Sequence, residues 1–144
     1  MSARETNKAA YDDLIEFCKR MQPDYKVGRH HRILANMLMD VERGPTAEDG
    51  KDRVCVNIPP RHGKSQLVSI FYPAWFLGRN PDKKVMMVSH TTDLAVDFGR
   101  KVRNTLRDDR YGMVFPDVKL DDTSQSARRF GTNRGGAYFA VSAG

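Results

Sequence analysis

The apolar positions change period several times along the chain, and each change marks the edge of an element. Over residues 9–21, Ala10, Leu14, Phe17, Cys18 and Met21 recur at helical spacing, predicting an amphipathic helix ended by Pro23. A second helix is predicted over 31–42, with Ile33, Leu34, Met37, Leu38 and Val41 on its buried side and Gly44 and Pro45 as its stop. The polar stretch that follows reads as a surface loop. Residues 53–58 are short and β-branched, predicting a strand that runs straight into Pro59-Pro60-Arg61-His62-Gly63-Lys64-Ser65. From Lys64 to about Leu77 the pattern is helical again. Residues 84–89 are almost continuously apolar, as expected for a parallel strand covered on both faces. A long helix is predicted over 92–107, with Leu94, Phe98, Val102 and Leu106 at intervals of four. Finally, 126–132 and 137–142 flank Asn133-Arg134-Gly135-Gly136, which predicts a β-hairpin. The order strand, loop, helix, strand, helix calls for a right-handed βαβ crossover in an α/β sheet.

Composition changes this picture little. With 144 residues, 40% hydrophobic and 29% charged, the chain is expected to be a soluble globular domain. No apolar run approaches the roughly 20 residues that span a bilayer, and the first residues show no export signal. Cys18 and Cys55 stand far apart without metal-ligand spacing, so two reduced, buried thiols are expected. Net charge is +6. Such a balance permits a polyanionic partner without establishing one. The basic residues (Arg29, Arg32, Lys83, Lys84, Arg100, Lys101, Arg103, Arg107, Arg128, Arg129, Arg134) are scattered rather than gathered in a tail.

The chemistry lies in Arg61-His62-Gly63-Lys64-Ser65, between a predicted strand and a predicted helix. A bound triphosphate needs backbone N–H groups aimed at it, a helix N-terminus behind it and a cation at its outer phosphates. Gly63 allows close backbone approach, Lys64 supplies the charge, and the Ser65 hydroxyl can ligate magnesium. The pattern G-x-x-x-x-G-K-[ST] wants a glycine five residues before Gly63, where this chain has Ile58.

Pro59-Pro60-Arg61-His62-Gly63-Lys64-Ser65 resembles the deviant phosphate loop (Walker A) of tailed-phage terminase large subunits, which dispense with the first glycine and carry an arginine in the loop. Further segments resemble the same family in order: Arg29-His30-His31-Arg32 upstream, 73–81 after the loop, Val85 to His90 followed by Asp93-Leu94-Ala95, then Tyr111, Phe115-Pro116 and 135–140. The resemblance covers residues 20–144. It implies a partial P-loop NTPase sheet of RecA-like type with flanking helices and a C-terminal β-hairpin. Residues 1–50 would be a helical, adenine-side segment, and 51–144 a βαβ core and hairpin, together one incomplete ATPase domain.

The resemblance also implies ATP and Mg2+ as cofactors. His31 and Arg32 would border adenine, Arg61, His62, Gly63, Lys64, Ser65 and Gln66 would bind the nucleotide, and Ser65 would hold the metal. Arg61 and Lys64 would be the catalytic cations, with Arg61 at the outer phosphate. The partners implied are double-stranded DNA, other terminase subunits and a portal, in a homo-oligomeric ring in the cytoplasm of an infected host. No strand ending in a catalytic acid is legible. Met113 to Asp117 is too short and contains Pro116, and Leu120-Asp121-Asp122 reads as a polar loop. In the family that strand, an arginine finger and a nuclease domain come later, so the chain is expected to be a truncated segment with little turnover alone. Two alternatives stay open: a nucleotide- or nucleic-acid-binding assembly module without turnover, and the front of a RecA-like helicase.

Overall fold

Asp13 divides the first predicted helix. In the computed structural model, which describes residues 2–48, 50–57 and 64–143 and only the backbone of Lys64, α1 runs Ala3–Asp12 and α2 Leu14–Met21. Between them Asp13 is extended, and its carboxylate accepts the Ile15 N–H at 3.2 Å. Aspartate competes with the helix for backbone N–H groups and is stable as a cap, which the apolar spacing alone does not register. The same carboxylate takes both Arg32 Nη groups at 3.0 Å, tying α2 to α3 (Arg29–Arg43). On α3 the buried residues are His31, Leu34, Ala35 and Leu38. Ile33 and Met37, expected inside, are exposed and line a hollow of about 230 Å³ with Cys55 and Val56. Cys55 is exposed rather than buried, while Cys18 is fully enclosed and its thiol pushed well up by burial. Gly44, at φ 82°, closes α3.

Residues 53–57 are not a strand here. Val54 and Val56 are half-buried and alternate with exposed neighbours; Ile58 and the loop 59–63 lie outside the described residues. The chain then runs helically from 64 to 79 as α4 (Lys64–Gln66), a π segment (Leu67–Phe71) and α5 (Tyr72–Arg79).

Strand β1 (Lys84–Ser89) lies where expected, and α6 spans Thr92–Arg107. A short helix α7 (Asp109–Val114) follows, then β2 (Leu120–Gln125), β3 (Arg129–Thr132) and β4 (Ala137–Ser142). The sheet has the order β1-β4-β3-β2. Its one parallel pair, β1 with β4, runs in register from Lys84↔Ala137 to Ser89↔Ser142. Strands β4–β3 and β3–β2 are antiparallel, so the predicted hairpin is present with Gly135 at φ 87° in its turn. The result is a mixed α/β fold with flanking helices.

Three further expectations need correction. Leu120-Asp121-Asp122 belongs to strand β2 rather than to a loop. An edge strand asks only for backbone pairing on one side, so acids are admissible there. Strand β1 is covered on one face only: Val85 and Met87 turn inward, whereas Met86 and Val88 are 64% and 54% exposed. Helix α6 covers the inner face through Ala95, Gly99, Val102 and Leu106. Leu94, expected in the stripe, is exposed. Glycine stands at 99 in that stripe because backbone comes very close: a Cβ on Gly99 would lie 2.1 Å from the Ala127 carbonyl oxygen.

Candidate functional site

The helical run 64–79 carries the end of the motif. Arg61, His62 and Gly63 lie outside the described residues, and Lys64 begins α4. Ser65 is exposed on the first turn, and the Gln66 amide donates to Gln22 Oε1 at 2.5 Å. Gln22 is the C-terminal cap of α2, so one side-chain bond joins the start of this run to the N-terminal helices. Beside it opens a cleft of about 370 Å³, lined by Gln22, Gln66, Ile70, Lys101, Asn104 and Asp108.

The π segment follows from Pro73. Proline has no N–H for the carbonyl four residues back, so an ordinary α-register is interrupted at this point. The Tyr72 N–H bonds instead to the Leu67 carbonyl, five residues away. Such single π turns inside α-helices are often found at functional sites. This one buries Leu67 and Phe71 against the core.

His31 and Arg32 sit at the N-terminus of α3. The His31 Nδ1 accepts the Gly28 N–H at 2.8 Å, and the ring packs 4.0 Å from His30 and 5.7 Å from Tyr25. Tyr25 in turn meets Phe71 edge-on at 5.6 Å, so an aromatic path joins His31 to the π segment. Burial first, and then the neighbouring Cys18, pushes the Tyr25 hydroxyl up to about 12. The Arg32 guanidinium is held above its usual range chiefly by its hydrogen bonds to Asp13. The structure therefore brings Gln66 to Gln22, and His31 to the π segment through Tyr25. Neither Gln22 nor Tyr25 was marked by sequence spacing; an amide at a helix end and a lone tyrosine after Pro23 carry no periodic signal. Among the described residues, no group of three His, Cys, Asp or Glu side chains could hold a metal by itself, and no helix is long and apolar enough to cross a membrane.

Fold and site together define a mixed α/β protein in which Lys64 and Ser65 begin a long helical run beside α6, the helix that covers one face of the sheet. Residues 55–137 match the family described as terminase large subunit, T4likevirus-type, N-terminal. That match takes in more than half of the chain, and the chain belongs to this family. Membership gives it a part in phage DNA packaging, alongside DNA and other phage proteins. Comparison with curated proteins and with solved structures gives no match.

Proposed function

We propose that this chain is the nucleotide-binding part of a motor that couples ATP hydrolysis to movement of double-stranded DNA into a procapsid. It would act in the host cytoplasm within a ring of copies seated on a portal. The observation that carries this reading is the family match, which spans the whole of 59–65 and continues to Ala137. The sheet would then be part of a P-loop NTPase fold of RecA-like type.

In this reading the backbone around Gly63 cradles the phosphates, and Lys64 supplies a point charge to the outer two. Ser65 fits a magnesium ligand: it is an exposed hydroxyl on the first turn of a helical run, and magnesium prefers hard oxygen donors. The ion would supply charge neutralisation between phosphates. Arg61 would hold the outermost phosphate and so separate ATP from ADP. Gln66, bonded to Gln22, would fix the first turn, while His31 and Arg32, held at the α3 terminus, would border the base.

The test is titration with a fluorescent ATP analogue and magnesium. Lys64→Ala removes a charge-assisted contact of roughly 1.5–3 kcal/mol, about ten- to a hundredfold in affinity. Equal affinity in wild type and variant would overturn the phosphate-loop assignment.

A further inference from the structure

Helix α6 turns a second face away from the cleft beside Gln66. Arg100, Arg103 and Arg107 recur there at helical intervals, over about 10 Å of helix axis. Like charges so spaced repel and weaken an isolated helix, and the carboxylates nearby do little to relieve them. Asp97 is taken by both Arg100 and Lys101, at 3.2 and 3.1 Å. Asp108 is held by Arg110 at 2.9 Å, and Asp121 accepts from the Thr123 N–H and hydroxyl. Among the described residues, Arg103 and Arg107 have no carboxylate partner.

Both instead donate to one neutral residue on the sheet. Arg103 Nη1 reaches the Gln125 carbonyl at 3.1 Å, and Arg107 Nη2 reaches Gln125 Oε1 at 2.6 Å. Gln125 fixes the two guanidinium groups without neutralising them. The Arg103 Nε is buried without a hydrogen-bond partner, and burial, followed by repulsion from Arg107 and Arg100, holds this guanidinium below its usual range. The bend at 126–128, seated against Gly99, brings Arg128 and Arg129 to the same end of the sheet. Arg129 is stacked over Phe139 at 5.1 Å, and Arg128 is exposed.

We propose that the Arg103–Arg107 flank of α6, braced by Gln125, binds the phosphate backbone of double-stranded DNA. An unneutralised, oriented pair of guanidinium groups suits phosphate oxygens, which accept planar N–H forks. Over the 10 Å or so spanned by the three arginines, duplex DNA carries about six phosphate charges, enough to engage every one of them. Contacts of this kind position a protein on DNA without reading sequence. The choice of duplex DNA rests on the packaging reading; the arginine geometry does not.

The experiment measures anisotropy of a labelled 30-base-pair duplex of mixed sequence, without nucleotide, across a range of NaCl concentrations. Arg103→Gln with Arg107→Gln is expected to weaken binding about tenfold or more at low salt. It should also lower the slope of log affinity against log salt by about 2, close to 0.9 per lost phosphate contact. Arg107→Lys, which keeps the charge, is expected to retain the wild-type slope. Unchanged affinity and slope in the double variant would overturn the proposal. So would loss of slope in Arg107→Lys, or tighter binding of single-stranded RNA of the same length than of the duplex. The double variant should still bind nucleotide as wild type does, so failure here and failure of the phosphate-loop reading are separate results.

Discussion

Gly99→Ala tests the contact on which the arginine flank depends. On α6 a Cβ at this position would stand 2.1 Å from the Ala127 carbonyl oxygen and 3.3 Å from both the Ala127 carbonyl carbon and the Ala140 Cβ. The first distance is more than an ångström inside contact, and the offending atom is backbone, which cannot rotate away. Either α6 lifts from β4 or the bend at 126–128 moves. Overpacking of this kind costs about 1–3 kcal/mol. Replacing a helical glycine by alanine returns about 0.5–1 kcal/mol, leaving a net loss of up to about 2.5 kcal/mol, and about 1 kcal/mol at mid-range. For a chain of this length the mid-range loss lowers Tm by roughly 3–5 °C. Gly112→Ala is the matched control: it is also helical, but a Cβ there meets nothing within 4 Å. It is expected to raise stability by about 0.4–1 kcal/mol. Thermal melts of both variants read the opposite signs directly. If Gly99→Ala melts at or above wild type, the bend does not lie against α6 and the bracing of Arg103 by Gln125 loses its basis.

Two further outcomes follow from the core and the surface. Tyr111, fully buried, donates its hydroxyl to the Ala74 carbonyl at 2.8 Å, so Tyr111→Phe should cost about 1–2 kcal/mol in chemical denaturation without affecting nucleotide binding. Asp108 is held below its ordinary 3.8 chiefly by the hydrogen bond from Arg110, so its stabilisation is present above that value and lost as pH falls through the lower folded value. An NMR titration should find its midpoint below 3.8, moving up in Arg110→Ala; a midpoint at or above 3.8 in wild type would contradict the pairing.

Where one strong local signal decided an element, it was legible in advance. Helix α6 begins at a threonine cap, Thr91, whose side chain accepts the Leu94 N–H, and the bounds 92–107 follow from cap and period. Strands β1 and β4 follow from nearly continuous apolar runs, and the turn between β3 and β4 from Gly135-Gly136. Where tertiary contact decides, the spacing of large side chains misleads. Leu94 looks like core, yet α6 buries Ala95 and Gly99, because what approaches is a peptide carbonyl with no room for bulk. Strand β2 holds a single apolar residue, and its place comes from pairing with β3. At the site, Lys64 and Ser65 were legible as a tripeptide before a helix, whereas the Gln22–Gln66 bond joins residues 44 apart in sequence, a relation no local pattern contains.

The run 64–79 is also held very unequally at its two ends, and this bears on how a phosphate loop could work. At the far end Trp75 and Leu77 are buried, and the Trp75 indole N–H donates to the Tyr11 carbonyl at 3.1 Å. Arg79 donates to that same carbonyl at 2.9 Å and to Glu42 at 3.0 Å, and its guanidinium lies over the Trp75 and Tyr11 rings at 4.9 and 5.1 Å. A Cβ on Gly78 would meet the Phe115 ring at 2.6 Å, so even the backbone is packed closely here. At the near end Ser65 is exposed, and the only described side-chain hydrogen bond from 64–66 is Gln66 to Gln22. Opening the far end would sacrifice several buried large side chains, at about 2–5 kcal/mol each. Rearranging the first turn would give up one described side-chain hydrogen bond, about 1 kcal/mol net. Among the described residues, side-chain anchoring therefore falls toward Ser65 while the rest of the run stays held, and ligand-binding segments belong at such a low end. A nucleotide contacting Lys64 and Ser65 could order this turn without disturbing the core, and any resulting movement would meet first the cleft wall that Gln66 shares with Lys101 and Asn104 of α6.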